Sequence, residues 1–321
     1  MLRAKQTPEE READAERERG YGPASSAASL RLFDAPPGTE PRVVLYRDSA
    51  AWCPYCFTVW LQLEEKRIPY CVKKVPLRCY GEKPLWFRQL MPSGMLPVAE
   101  IDGEIIRAGS DAIRRTLEER FPENNPLLPP PGSPKAAQVG PLMQLERKLF
   151  SAWFGWLTSG GADARQRENF VATMDRTDAA LAANGGGGPY FLGKELSLVD
   201  VVFSPFLERM AASLPYYKAL PVRGNTRWPA VQRWFDAMEA RPTYGNIRSD
   251  FYTHVHDLPP QVGGCVSVNE AVPFADEIDG ATGLWSLPVR EGIEPLGATP
   301  PEDAARQAAT RVIGNRDALV R

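Results

Sequence analysis

No stretch of the 321-residue sequence approaches the about 18 consecutive apolar residues that a membrane-spanning helix needs. Nor does one charge prevail: 38 Lys and Arg face 40 Asp and Glu, a formal net charge of −2 with a pI of about 5.9. The chain as a whole therefore has no built-in attraction for nucleic acid or for an anionic membrane. Histidine is scarce, with two residues, and cysteine numbers five. Five cysteines are odd in count and too sparse for a disulfide scaffold. The opening MLRAKQTPEEREADAERERG has no apolar stretch and mixes acids with bases, which fits neither a secretory signal nor an acid-poor transit peptide. The expected setting is a reducing compartment, cytoplasm or plastid stroma, where paired cysteines mean redox or metal chemistry rather than staples.

What the chain has in abundance is 31 prolines and 26 glycines, within an otherwise ordinary globular composition of 43% hydrophobic and 24% charged residues. Its length suggests two domains with linkers and tails. Residues 1–41 are charged, then small and polar, then proline-rich, and read as a disordered tail with room for a short helix in its charged part. From Arg42 the pattern changes. Val43 to Tyr46 is a buried strand, Ser49 to Pro54 a loop, and Phe57 to Lys66 carries helical apolar spacing. Tyr70 to Val75 alternates as a second strand. Leu96 to Arg107 around Asp102-Gly103 is a hairpin signal, and Asp111 to Phe121 a closing helix. The order βαβαββα over residues 42–125 is that of a thioredoxin-like domain. A proline-rich linker follows at 126–138, then helical periodicity over 139–250. In that region Ser197-Leu-Val-Asp200 spells a capping box opening an apolar helix through Met210, with Tyr216-Tyr217 in a loop beyond. Residues 251–321 read as an extension, irregular at first and ending in a weak helix from Pro301 to Val320. The fold class expected is α+β: a thioredoxin-like domain, an all-α domain and this partly irregular extension.

The chemistry concentrates in Trp52-Cys53-Pro54-Tyr55-Cys56, between a strand and a helix. A cysteine at a helix N-terminus meets unpaired N–H groups and the positive end of the macrodipole, which favour thiolate, the nucleophilic form. Cys56, one turn in and less exposed, can resolve a mixed disulfide on Cys53. Half of a zinc site is the alternative, but no second C-x-x-C or H-x₃₋₅-H follows. Leu96-Pro97, just before a strand, is where a cis-proline sits opposite the active cysteine in a thioredoxin order, leaving the preceding backbone free to pair with an extended ligand. Gly109-Ser110-Asp111 opens the last helix of the domain, a start that can hold a carboxylate while Asp111 takes an ammonium; a plain N-cap is the other reading.

WCPYC, MLPVAEIDG, GSDAI and the helical half opened by SLVD resemble a cytosolic-type glutathione transferase with a glutaredoxin-like active site, over about residues 42–250. GEKPLWF and RPTY–SDFYTHVHDLPPQVGGC are most similar to the iota class of photosynthetic organisms, in which a long C-terminal extension follows the transferase core. The resemblance implies glutathione as co-substrate, no resident metal, and reduction of disulfides, deglutathionylation or dehydroascorbate reduction through a glutathione mixed disulfide on Cys53. It implies that Lys83 contacts the glutathione carboxylate, that Leu96 before Pro97 pairs with the cysteinyl backbone, that Ser110 holds the γ-glutamyl carboxylate, and that Pro54, Tyr55 and Asp111 complete the site. Related classes usually carry Glu where this chain has Gly109. Partners would be glutathione and glutathionylated or small disulfide substrates; dimerisation is usual in the superfamily, which leaves a homodimer open. A non-catalytic carrier of a hydrophobic ligand or pigment is the competing reading.

Other candidates have plainer alternatives. Trp52, Trp153 and Trp156 could wall a co-substrate pocket, although aromatics one turn apart on a helix are commonly core. His254 and His256, if extended, would project to one face like metal ligands, or they could tie down the extension by hydrogen bonds. Cys71 and Cys79 read as small buried hydrophobes.

Overall fold

The computed structural model describes residues 8–160, 164–183 and 187–281. It divides into two compact units, one ending at Asn125 and the other beginning at Pro126.

The first unit is built on a five-stranded sheet ordered β1-β3-β2-β4-β5. Strand β2 (Val43–Asp48), helix α2 (Pro54–Lys66) and β3 (Tyr70–Val75) form a βαβ unit whose strands pair in parallel, Val43 opposite Tyr70. After a 3₁₀ turn at Arg78–Tyr80 and helix α3 (Leu85–Leu90), β4 (Val98–Ile101) and β5 (Glu104–Ile106) form the expected hairpin. Asp102 and Gly103 both sit at positive φ, 52° and 81°, as a two-residue turn matched to strand twist requires. Helix α4 (Ser110–Arg120) closes the thioredoxin-like order.

The N-terminal segment carries the short helix allowed for in its charged part, but beyond it the chain is not the disordered tail expected. Pro8–Glu18 forms α1, and Leu30–Arg31 forms β1, which adds antiparallel to β3 with Leu30 opposite Cys71. Ala24, Ala28 and Leu32 are buried. Composition hid this segment because Arg31, which reads as a solvent cation, is buried and clamps Glu64 of α2 with two bonds, Nε–Oε1 at 2.8 Å and Nη2–Oε2 at 3.0 Å. Its remaining nitrogen donates to the Gly22 carbonyl at 2.7 Å.

Helix α2 is buried from Cys56 through Lys66 on every face, polar residues included. Most of them find partners inside. The Tyr70 hydroxyl donates to Glu64 at 2.6 Å, Gln62 donates to the Arg114 carbonyl and to Glu118, and Lys66 pairs with Glu118 at 3.2 Å. On the face that meets α4, Arg114 also donates to the Thr58 hydroxyl at 2.7 Å.

The second unit is helical: α5 (Ala136–Thr158), α6 (Ala164–Ala182), α7 (Leu198–Lys218), α8 (Pro229–Glu239), α9 (Pro242–Gly245), α10 (Phe251–Val262) and α11 (Val272–Ile278). Helix α5 thus starts inside the stretch read as linker. The capping box is present, and Asp200 does more than cap: it accepts from the Ser197 N–H and hydroxyl, the Phe191 N–H and the Trp234 indole. Helix α7 runs past Met210 to Lys218 despite Pro205 and Pro215, so Tyr216 and Tyr217 lie in its last turn rather than in a loop. The extension begins as helix, not as irregular chain. Asp250 caps α10 by accepting the Thr253 N–H at 2.7 Å, and Gly263 ends it at φ 84°. The Tyr217 hydroxyl donates to the Val255 carbonyl at 2.7 Å and Tyr216 to Asp279 at 2.9 Å, holding α10 and the end of α11 to α7. The weak helix expected over 301–320 lies outside the described residues. Among the described residues, no helix is long and apolar enough to cross a membrane.

Removing one partner of a buried ion pair leaves an uncompensated charge, whereas an exposed pair adds little. Arg31→Ala should therefore cost about 3–5 kcal/mol of stability, and Arg67→Ala, whose partner Asp34 is exposed, at most about 1 kcal/mol. Urea unfolding of the two variants beside the parent checks the contrast.

Candidate active site

Strand β2 ends in Arg47 and Asp48, and the chain then loops to Cys53, the residue before Pro54 at the first turn of α2. The Trp52 N–H donates to Asp48 Oδ2 at 2.6 Å, fixing the loop. Proline suits this first helical position because its missing N–H would have had no helical partner. Both cysteines are reduced and buried, Cys53 at 8% exposure and Cys56 at 1%. Their sulfurs and a carboxylate oxygen of Asp48 all lie within 4.8 Å of one another.

The two thiols are driven apart. A hydrogen bond donated by Cys56 holds the Cys53 thiol below its ordinary range, with the Cys56 and Tyr55 N–H groups helping, against burial and the Asp48 charge. Burial first, then that same bond and the Cys53 charge, push Cys56 well up. The pair is thus one thiol biased toward its thiolate beside one biased toward keeping its proton.

Lys83 donates to the Pro76 carbonyl at 2.5 Å. Burial lowers its pKa, against the fields of Cys56, Cys53 and Asp48, which raise it. The Leu96–Pro97 bond is cis, and the register Tyr46 opposite Val98 brings it to the end of β2 from which the cysteine loop departs. Ser110 is buried at the first position of α4, beside the first turn of α2, where Arg114 meets Thr58. Gly109 precedes it at φ 88° with open space around a would-be Cβ; the backbone angle, not room, favours glycine there. Asp111 is exposed, paired with Arg114 and Arg115. Tyr55 is exposed and Trp52 buried.

Several candidates lie elsewhere. Trp153 and Trp156 are buried in the helical unit, Trp153 donating to the Ser213 hydroxyl at 3.0 Å and Trp156 resting on Phe170. His254 and His256 do not converge. They sit two positions apart on a helix, so His254 is buried against Glu208 at 3.4 Å while His256 is exposed and bonded to Asp279 at 2.8 Å. That corrects the extended metal-ligand reading and matches their alternative role of tying down the extension. Cys79 is exposed rather than buried, and Cys71 half-buried. Among the described residues, Asp48, Cys53 and Cys56 are the donors close enough together to share a metal.

Asp48 and Arg47 were missed. Arg47 is fully buried, donates to the Asp48 and Ser26 carbonyls at 2.7 Å each, and lies over the Trp60 ring. The available signal was a charged pair ending an apolar strand five residues before a C-x-x-C, since charges in such a strand are rarely buried without a task.

A thioredoxin-like unit carrying this cysteine pair beside a separate helical unit defines a recognised class of transferase. The family model "Glutathione S-transferase, N-terminal domain" matches residues 52–120, and its C-terminal counterpart residues 162–237. The chain is 30% identical to glutathione S-transferase DHAR3, chloroplastic, of Arabidopsis thaliana over 66% of this chain and 75% of that one. To DHAR2 of the same plant it is 31% identical over 61% and 84%. Glutathione transferase Omega 3C of Trametes versicolor superposes with a TM-score of 0.54 at 28% identity, covering 66% of this chain and 91% of that one. A dehydroascorbate reductase of Chlamydomonas reinhardtii shares the fold, with a TM-score of 0.56 at 22% identity over 67% and 96%. The protein belongs to the glutathione S-transferase family.

Because the Cys56 bond is the chief force lowering Cys53, Cys56→Ala should raise the Cys53 pKa and slow its alkylation at neutral pH about three- to tenfold. Cys56→Ser, which keeps a hydroxyl donor, should do less. Iodoacetamide labelling followed at the Cys53 peptide by mass spectrometry separates the two.

Proposed function

We propose that the protein is a glutathione-dependent thiol transferase of the cysteine type, most like the iota class, acting through Cys53. The observation that carries this reading is the cysteine pair itself: a thiolate-favouring Cys53 at the start of α2, its charge supported by a hydrogen bond from Cys56. In serine- or tyrosine-based transferases a hydroxyl steadies glutathione's own thiolate; a cysteine instead makes a covalent bond to glutathione.

The Cys53 thiolate attacks the glutathione sulfur of a mixed disulfide, the substrate thiolate leaves, and Cys53 carries glutathione. A second glutathione thiolate attacks that sulfur, releasing glutathione disulfide and restoring the Cys53 thiolate. Lys83 supplies a cation for a glutathione carboxylate, Leu96 before the cis-proline offers backbone to the cysteinyl portion, and Ser110 at the start of α4 takes the γ-glutamyl carboxylate, with Pro54, Tyr55 and Asp111 around it. The same two-electron delivery from two glutathione molecules would reduce dehydroascorbate, which accords with the relatives' names. Such chemistry needs a reducing compartment, cytoplasm or plastid stroma.

Glutathione-dependent reduction of hydroxyethyl disulfide tests the reading. The parent should turn over, Cys53→Ser should fall to background, and Cys56→Ser should keep much of the rate. An active Cys53→Ser variant would sink the mechanism, and a parent without turnover that holds a bound apolar molecule would favour a carrier instead.

A further inference from the structure

We infer that helix α10 is a pH-operated clasp: it docks on α7 near neutrality while His254 is uncharged, and lets go in mild acid when that ring takes a proton. The inference concerns the helical unit alone and does not rest on the Cys53 chemistry.

Histidine is the side chain whose charge ordinarily changes between about pH 5 and 8. The chain has two, and both lie on α10. One of them is enclosed. His254 is 1% exposed where α10 meets α7, with Nε2 3.4 Å from Glu208 Oε2. That carboxylate is itself buried, and neither of its oxygens has a full hydrogen bond. Phe251, Val255 and Leu258 are buried on the same helix, and the Tyr217 hydroxyl of α7 donates to the Val255 carbonyl at 2.7 Å. An imidazole set among these apolar side chains is costly to charge while the contact keeps water out.

Burial, the largest influence on the ring, favours its neutral form, and the groups that face it pull in opposite directions. From α7, Glu208 favours the protonated ring and Arg209 opposes it; Asp250, the cap of α10, favours it. Arg209 is buried and donates to the Pro205 carbonyl at 2.5 Å, which keeps its charge in place. From α9, the buried Tyr244 phenol faces Glu208, and Arg248 beyond it is engaged with Glu239 of α8 at 2.6 Å. The outcome is a ring held below its ordinary value of 6.5. Once α10 leaves α7 the ring is in water and that ordinary value returns. Docking is therefore at full strength above about pH 6.5 and weakens as the pH falls below it. His256 works the other way: it is exposed and bonded to Asp279 at 2.8 Å, so a proton there strengthens a surface pair that contributes little. Release uncovers Phe251, Val255 and Leu258 together with the α7 surface beneath them.

Hydrogen-exchange mass spectrometry on the full chain tests the clasp at about pH 7.5 and about pH 5.5, with labelling times scaled to intrinsic exchange at each pH. Protection of peptides from α10 should fall about tenfold at the lower pH while that of α5 stays level. His254→Gln should flatten the response, and His256→Gln should keep it. Unchanged protection of α10 in the parent overturns the inference. So does a fall of the same size across α5, or one that survives in His254→Gln. Should His254→Gln fail to fold, the parent still decides by imidazole NMR. There His254 should gain its proton only below 6.5, and titration at or above that value overturns the clasp.

Discussion

From Cys56 on, helix α2 has no face turned to water, and the geometry of the site at its start follows from that constraint. An amphipathic helix can rock on its core; one enclosed on all sides cannot, provided that its polar side chains find partners inside. Arg31 and Tyr70 hold Glu64, Glu118 serves Gln62 and Lys66, and Arg114 meets Thr58. These contacts come from β1, β3 and α4, so three separate stretches of chain hold the axis of α2 and with it the position of Cys53. A side chain anchored where a loop meets the start of a fixed helix loses little in reorganisation when a ligand arrives.

Within that frame the chemistry is a balance of two opposed effects of burial. Removing a thiol from water favours its neutral form, and this effect dominates at Cys56. At Cys53 a donated hydrogen bond outweighs it. The two sulfurs share a motif yet are biased in opposite directions, because one bond runs from the second to the first.

How much of this was legible in sequence followed from how local each signal is. The strand at Val43, the Asp102-Gly103 turn, the helix opened by Pro54 and the capping box at Ser197 are each written in a few adjacent residues, and all are present. The N-terminal segment failed because its order depends on Arg31 meeting Glu64 across 33 positions, and a lone arginine in a polar stretch looks solvated. The histidines failed for a related reason. Pro259-Pro260 suggested an irregular chain, while the burial of Phe251, Val255 and Leu258 on one face of α10 keeps the helix. In the site, the cysteines, the cis-proline and the start of α4 could be marked as types of residue at a spacing. That Asp48 joins the cysteines could not, because a strand end and a helix start converge only once the sheet exists.

Strand β1 has a consequence beyond the support it gives α2. Without it, β3 would be the outer strand of the sheet, with a row of unpaired amides and carbonyls available to another chain. Opposite Leu30 on that edge is Cys71, a half-buried free thiol that the glutathione chemistry does not use. Two residues of β1 therefore cap the sheet and screen its spare thiol together. With Leu30 paired to it, that thiol lies on a closed rather than an open edge, where a second copy of the chain finds no backbone to pair with.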